Sequence, residues 1–247
     1  MSFRSRVVVP LLKSKALQWL FYSPLLDYHQ YRLLRFVHKV AAIVKPDEKV
    51  IDVGAGELKY QKYFSHCNYI SNDLGLGDVE WVYDNIDIIS SADDIPVAPA
   101  SFDHVLCTQV MEHIEYPDRV FQEFHRILKP GGLLHLTAPL CAVEHQAPYD
   151  FFRYTKYGLD SLGRRCGLEM IFIEPHGGVF VNMEIMFWCA FWGMVPFERF
   201  SHARYVLYFL VLPLKVLTGS LSIVLDFFDF KKDYTINYNV IYRRLPD

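Results

Sequence analysis

Val50-Ile51-Asp52-Val53-Gly54-Ala55-Gly56 reads as a short buried strand, opened by Lys49, that runs into a tight glycine turn and then a helix. Glycine lets the backbone approach a ligand closely, and in open α/β sheets ligands sit at the carboxyl ends of the strands. A dinucleotide fingerprint needs a third glycine three residues beyond Gly56; Lys59 stands there, which removes support for a pyrophosphate. Asp73 follows a second strand, seventeen residues past Gly56, and a carboxylate there can accept both hydroxyls of a ribose. The glycine turn and Asp73 together point to a ribosylated ligand.

Asn68 to Ser71 reads as the second strand and Phe102 to Cys107 as a third. Pro117 to Leu128 reads as a helix, with Pro117 in its first turn and Lys129-Pro130-Gly131-Gly132 ending it. Leu133 to Thr137 is the next strand, stopped by Pro139. Tyr157 to Cys166 is a helix with Gly167 as its stop, and Leu168 to Pro175 is another strand. Strands alternating with helices predict a mostly parallel sheet with helices on both faces. Residues 233–244 alternate apolar and polar (Tyr234, Ile236, Tyr238, Val240, Tyr242), the period of a strand.

The whole chain sets limits on this reading. With 247 residues and 52% hydrophobic content it can bury a full α/β core, which excludes a disordered or fibrous chain. A net charge of -3 offers no overall basic field for nucleic acid. Five cysteines without a C-x-x-C pair argue against a disulfide framework or structural zinc, and for a reduced cytoplasmic chain. The N-terminus does not read as a signal peptide, because Lys13 and Lys15 break its short apolar runs.

Three motifs now stand in order. They are Ser101-Phe102-Asp103-His104-Val105-Leu106, Val110-Met111-Glu112-His113-Ile114 and Arg126-Ile127-Leu128-Lys129-Pro130-Gly131-Gly132. With Asp52-Val53-Gly54-Ala55-Gly56 before them, the chain resembles the class I S-adenosylmethionine-dependent methyltransferases of the small-molecule type, over residues 46–177 and the closing strand 233–244. The resemblance implies a Rossmann-like fold with an antiparallel last strand, and S-adenosyl-L-methionine as cofactor. It implies that Asp52, Gly54, Ala55 and Gly56 hold the methionine end and Asp73 the ribose. It also implies that Ser91, Ala92 and Asp93 flank the adenine. Cys107, Thr108 and Gln109 would line the methyl-transfer side. The family often has an Asp where this chain has Ser91, which leaves the adenine amino contact to a backbone group or to Asp93.

Methyl transfer from a sulfonium is an in-line displacement at an activated carbon, so proximity and alignment dominate, and a base helps when the acceptor is a hydroxyl. His145-Gln146-Ala147-Pro148-Tyr149-Asp150-Phe151-Phe152-Arg153-Tyr154-Thr155 follows the Leu133 strand, where acceptor loops belong. Imidazole titrates near neutrality, which makes His145 the candidate base and Asp150 its orienting group or a sugar ligand. Tyr149, Arg153 and Tyr154 are candidate acceptor contacts, Arg153 suiting a carboxylate or phosphate. The alternative is an internal Asp150–Arg153 ion pair. The stretch is similar to one in methyltransferases linked to bacterial surface-polysaccharide genes, which implies O-methylation of a glycan or lipid-linked sugar. A lipid or quinone-like acceptor, and a membrane-associated scaffold without turnover, are the alternatives. Glu112-His113 reads as a packing and hydrogen-bonding pair; as a metal site it lacks a third ligand, and no metal is expected.

The flanks differ in texture. Residues 1–45 carry eight Lys/Arg against one acid and read as basic amphipathic helices, with Leu33, Phe36, Val37, Val40 and Ala41 at helical spacing. Residues 46–177 with 229–247 form the methyltransferase domain, and 178–228 an apolar helical insertion. A spanning helix wants about 20 apolar residues, and Pro213 and Lys215 interrupt this stretch. The insertion therefore predicts helices in a membrane interface, which would place the protein peripherally at the inner face of the membrane. A cap on the domain or on a second copy, a pocket for a lipid-linked acceptor, or a true transmembrane helix are the alternatives.

Overall fold

The structure, a computed structural model, describes residues 23–76, 83–194 and 201–246, with side chains of 201–205 left out. The first 22 residues of the basic arm and residues 195–200 of the insertion lie outside the described residues. The chain separates into two compact units, Met1–Arg32 with Pro175–Ile236, and Leu33–Glu174 with Asn237–Asp247.

The larger unit is built on a seven-stranded sheet. Its strands are β1 (Lys49–Val53), β2 (Asn68–Asp73), β3 (Ile88–Ile89), β4 (Phe102–Thr108), β5 (Leu128–Pro139), β6 (Leu168–Pro175) and β7 (Asn237–Arg244). Their order is β3-β2-β1-β4-β5-β7-β6. The pairs β1/β2, β1/β4, β2/β3 and β4/β5 are parallel, and β7 runs antiparallel to β5, with Leu136 opposite Val240. The predicted antiparallel closing strand is therefore present, but it begins at Asn237 rather than at 233.

Alternation along the strands divides the core between two faces. Val50 of β1 and Leu106 of β4 pack with Phe36, Val37, Val40 and Ala41 of helix α1 (Tyr28–Ile43). Ile51, Val53, Val105 and Cys107 face the other way, toward α2 (Pro117–Ile127) and α3 (Lys156–Arg165). On α2 the buried Val120, Phe121, Phe124 and Ile127 repeat at i, i+1, i+4 and i+7, a single apolar stripe. Pro117 starts this helix where no N–H is needed, and the Thr155 hydroxyl accepts the Gly158 N–H to start α3.

Three expectations need correction. No α-helix follows the glycine turn. Residues 54–67 form turns and one 3-10 turn, Gln61–Tyr63, because buried Tyr60 and Phe64 anchor so short a connection to the α1 face. The second strand extends through Asp73, which carries its carboxylate to the strand end. Lys129 to Gly132 do not precede the next strand but bulge within it, as register jumps from Phe102/Leu128 to His104/Leu133.

A buried histidine pair lies in the sheet. His104 Nδ1 and His135 Nε2 are 3.0 Å apart, and His104 Nε2 lies 3.1 Å from Glu48 Oε2. Burial holds His135 down to about 3. An unfolded His titrates near 6.5, so between these values the unfolded chain binds the extra proton and stability rises with pH. The contribution of His135 is complete above pH 6.5 and is lost as pH falls toward 3. Urea unfolding at several pH values between 6 and 4 should show a slope about 1.4 kcal/mol per pH unit steeper in the native protein than in His135→Leu. Equal slopes would contradict a neutral, buried His135.

The smaller unit is a helical hairpin of α4 (Val179–Gly193) and α5 (Ser201–Asp226). Its base is closed by charge: Asp226 accepts the Gly178 N–H at 2.9 Å and Asp229 accepts the Val179 N–H at 2.7 Å, at the positive end of α4. Lys215 donates to Glu184 at 2.7 Å, and Trp188 Nε1 donates to Thr218 at 3.1 Å. Contrary to the sequence expectation, Pro213 and Lys215 do not interrupt α5. Proline removes one backbone donor, and Lys215 is neutralised within the hairpin. Val206–Asp226 is long and apolar enough to cross a membrane, with 11% of its most apolar stretch buried.

Candidate active site

The carboxyl ends of β1, β2, β4 and β5 open on one side of the sheet, and the glycine turn lies there. Gly54 (φ +76°) and Gly56 (φ +52°) both occupy the left-handed region. A Cβ on Gly54 would stand 2.2 Å from Val110 Cγ2, so the turn is pressed against the segment that leaves β4. The N–H groups of Gly54 and Ala55 both donate to the Asn72 carbonyl, at 2.8 and 3.0 Å. Asp73 clamps this arrangement, accepting from the Gly56 N–H at 2.9 Å and the Gly75 N–H at 2.8 Å.

Asp52 is almost fully buried. Its Oδ2 accepts from the Tyr69 hydroxyl at 2.6 Å, while Oδ1 has no partner. Burial raises its carboxyl to about 7. Beyond β3, the Ser91 hydroxyl donates to Asp93 Oδ1, and Ala92 packs into the core. Gln109, at φ +56°, is fixed by Nε2 donating to Thr137 Oγ1 and Asn237 Oδ1, each at 2.9 Å. Thr108 is buried beside it at the end of β4. Cys107 is enclosed in the apolar core, and burial raises its thiol well above the ordinary value. Its side chain packs in the core beneath the end of β4.

The loop after β5 folds back over β4's exit. The Phe151 and Phe152 N–H groups donate to the Glu112 carbonyl at 2.8 and 3.2 Å. This brings His145 beside Glu112 and His113. The His113 and His145 rings meet edge to face with centroids 4.8 Å apart, and His145 Nε2 lies 3.9 Å from Glu112 Oε1. Glu112 is 1% exposed, neither of its carboxylate oxygens has a hydrogen-bond partner, and burial raises it to about 7. Burial also lowers His113. Donor atoms of Glu112, His113 and His145 all lie within 4.8 Å of one another. His145 thus stands where the third ligand atom beside Glu112 and His113 would be, which sequence spacing could not supply.

Two expected acceptor contacts are engaged elsewhere. Arg153 forms a bidentate pair with Asp150, at 2.6 and 2.7 Å, and donates also to the carbonyls of Ala142, Val143 and Phe152. With its whole guanidinium engaged, Arg153 fastens the loop rather than facing a substrate. Asp150, held well below the ordinary carboxylate range by Arg153, accepts the backbone N–H of His145 at 2.9 Å and so positions that residue. Buried Tyr154 donates its hydroxyl to the Met111 carbonyl at 2.9 Å, a structural bond. Tyr149 is exposed, and its carbonyl lies 2.5 Å from His113 Nδ1.

Residues 51–136 match the family described as a methyltransferase domain. A malonyl-[acyl-carrier protein] O-methyltransferase of Hahella chejuensis is 30% identical over 97 residues, 35% of this chain and 35% of that protein. The chain matches 24% and 35% of the length of the curated relatives found. Phosphoethanolamine N-methyltransferase 2 of Haemonchus contortus, in complex with S-adenosyl-L-methionine, is similar in structure, with a TM-score of 0.53 at 16% identity. That likeness covers 100% of this chain and 60% of the other. The [4+2]-cyclase SpnF superposes with a TM-score of 0.54 at 18% identity, covering 88% of this chain and 82% of the other. The fold is the Rossmann-like one of the class I methyltransferases, and a fold alone does not fix the reaction.

Proposed function

We propose that this chain is an S-adenosylmethionine-dependent methyltransferase acting on a hydroxyl of a sugar, in the first instance a lipid-linked one. The observation that carries the cofactor is the glycine turn. Gly54 and Gly56 hold left-handed conformations with bare backbone, and the Asp73 carboxylate is fixed against the Gly56 N–H. The residues fit the group. The orphaned Asp52 Oδ1 awaits a donor at the β1 end, and Asp73 retains lone pairs for ribose hydroxyls. Ser91 and Asp93, joined by a hydrogen bond beyond β3, are the candidates to flank the base of the nucleoside.

S-adenosylmethionine supplies a methyl group already activated on a sulfonium. The chain's own work is alignment and handling of the acceptor's proton. Val110, pressed on Gly54, links the turn to Glu112 two residues on. The Glu112, His113 and His145 cluster is thus attached to the cofactor turn, and it supports a reading in which the acceptor oxygen and its proton are received there. Radiolabelled methyl transfer to a panel of sugars, lipid-linked sugars and quinone-like acceptors tests the reaction. Labelled sugar hydroxyls support it, and label on the quinone-like acceptors alone would contradict it.

The hairpin supports a membrane location. Leu210, Leu217 and Leu221 are 72%, 64% and 55% exposed along one side of α5. Exposed apolar surface of this extent suits a bilayer. The protein should co-float with vesicles of phosphatidylcholine and anionic phospholipid, and a variant with all three leucines changed to Asp should stay behind. Identical behaviour of the two proteins would count against the hairpin as an anchor.

A further inference from the structure

We propose that Glu112, His113 and His145 form a binding site for a divalent first-row transition-metal cation, placed to take the acceptor hydroxyl as a further ligand. The site deepens the methyltransferase reading and, for its role in turnover, rests on it.

Three features of the cluster point to a cation. Glu112 is buried at the end of β4's exit with both carboxylate oxygens unpartnered, a costly state unless something electropositive faces them. Each imidazole has its Nδ1 against a backbone carbonyl. His113 Nδ1 lies 2.5 Å from the Tyr149 carbonyl, and His145 Nδ1 lies 3.1 Å from the Val143 carbonyl. A carbonyl only accepts, so each Nδ1 carries the proton and each Nε2 is left with a lone pair. This is the outer arrangement that orients metal-ligating histidines. His145 Nε2 is directed at Glu112 Oε1, 3.9 Å away, so lone pairs converge without a donor among them.

A proton on Glu112 satisfies one of these lone pairs, whereas a cation satisfies all three. Ligand atoms on a cation with bonds of ~2.1 Å stand roughly 3–3.5 Å apart. Binding therefore needs a shift of about an ångström, which half-exposed His145 can supply on its loop. Two imidazoles and one carboxylate form a facial set that suits Zn²⁺, Mn²⁺ or Fe²⁺ and leaves positions open. Asp150 completes the support, with Oδ2 3.5 Å from His145 Nδ1.

An acceptor hydroxyl bound at an open position would lose its proton to water near neutral pH, because the cation stabilises the alkoxide. The alkoxide oxygen then bonds to the methyl carbon while the carbon–sulfur bond breaks, its electron pair remaining on sulfur.

Mn²⁺ is the probe of choice, because thiols favour softer ions and the chain has five free cysteines. Electron paramagnetic resonance titration of the full chain should show one tight Mn²⁺ site, weakened more than about 100-fold in His113→Ala and in Glu112→Gln. Calorimetry with S-adenosylhomocysteine on the same samples should give equal binding by all three proteins. A native protein that holds Mn²⁺ no better than the two variants overturns the cation site and leaves His145 as the direct proton acceptor. Failure of S-adenosylhomocysteine to bind would instead strike the methyltransferase reading, a separate readout on the same protein.

Discussion

Gly54→Val should abolish binding of S-adenosylhomocysteine. Gly54 sits at φ +76°, a region that a β-branched residue enters only with strain. A Cβ there would stand 2.2 Å from Val110 Cγ2, well inside contact distance. Either the turn opens or Val110 retreats, and both displace the bare backbone on which the cofactor would lie. A loss of at least ~100-fold, about 2.7 kcal/mol, is expected in calorimetric titration. Circular dichroism and thermal unfolding report whether the variant is folded. Gly54→Ala combined with Val110→Ala relieves the contact while leaving a methyl in the cradle, and it should lose affinity as well. A folded variant that binds within about threefold of the native protein would contradict the site.

His145→Ala should separate chemistry from cofactor binding. The side chain lies beside Glu112 and His113, whereas the clamp on the glycine turn is made by Gly56 and Asp73. Handling of an acceptor proton contributes roughly 10²–10⁴-fold to a rate. The variant should therefore lose that much in kcat while S-adenosylhomocysteine binds as before. Its backbone N–H still bonds Asp150, which remains tied to Arg153, so the loop should stay in place. Unchanged kcat would remove His145 from the reaction. A loss of cofactor affinity matching the loss of rate would assign it to binding.

The central sheet and the glycine turn after β1 were legible because local patterns encode them. A strand ending in Gly54-Ala55-Gly56 needs no distant partner to be recognised, nor does Asp73 at the end of the next strand. The helices α2 and α3 were equally plain, through Pro117, the apolar stripe and the Gly167 stop. The two-residue β3 was not, because Ile88–Ile89 is too short to show a period. The missing helix after the glycine turn is a tertiary effect, since Tyr60 and Phe64 are drawn to the α1 face.

The acceptor side was read less well for a different reason. Glu112 and His145 lie far apart in sequence and meet only because the loop after β5 bonds back to the Glu112 carbonyl. Conversely, Arg153 looked available in sequence, yet the fold engages all its donors within that same loop. A string of polar residues shows that a loop has chemistry to offer; only the folded loop decides which groups face inward. The hairpin gives a similar lesson, as Lys215 broke the apolar run in sequence but finds Glu184 across the two helices.

Calorimetric titration of the full chain with S-adenosylhomocysteine, beside Asp73→Ala, decides whether the glycine turn holds the cofactor. Asp73 accepts from both Gly56 and Gly75 and stands at the expected ribose position. Micromolar binding by the native protein, lost in the folded variant, is the predicted result. No binding by a folded native protein, or equal binding by both, would contradict the assignment of this turn to the cofactor.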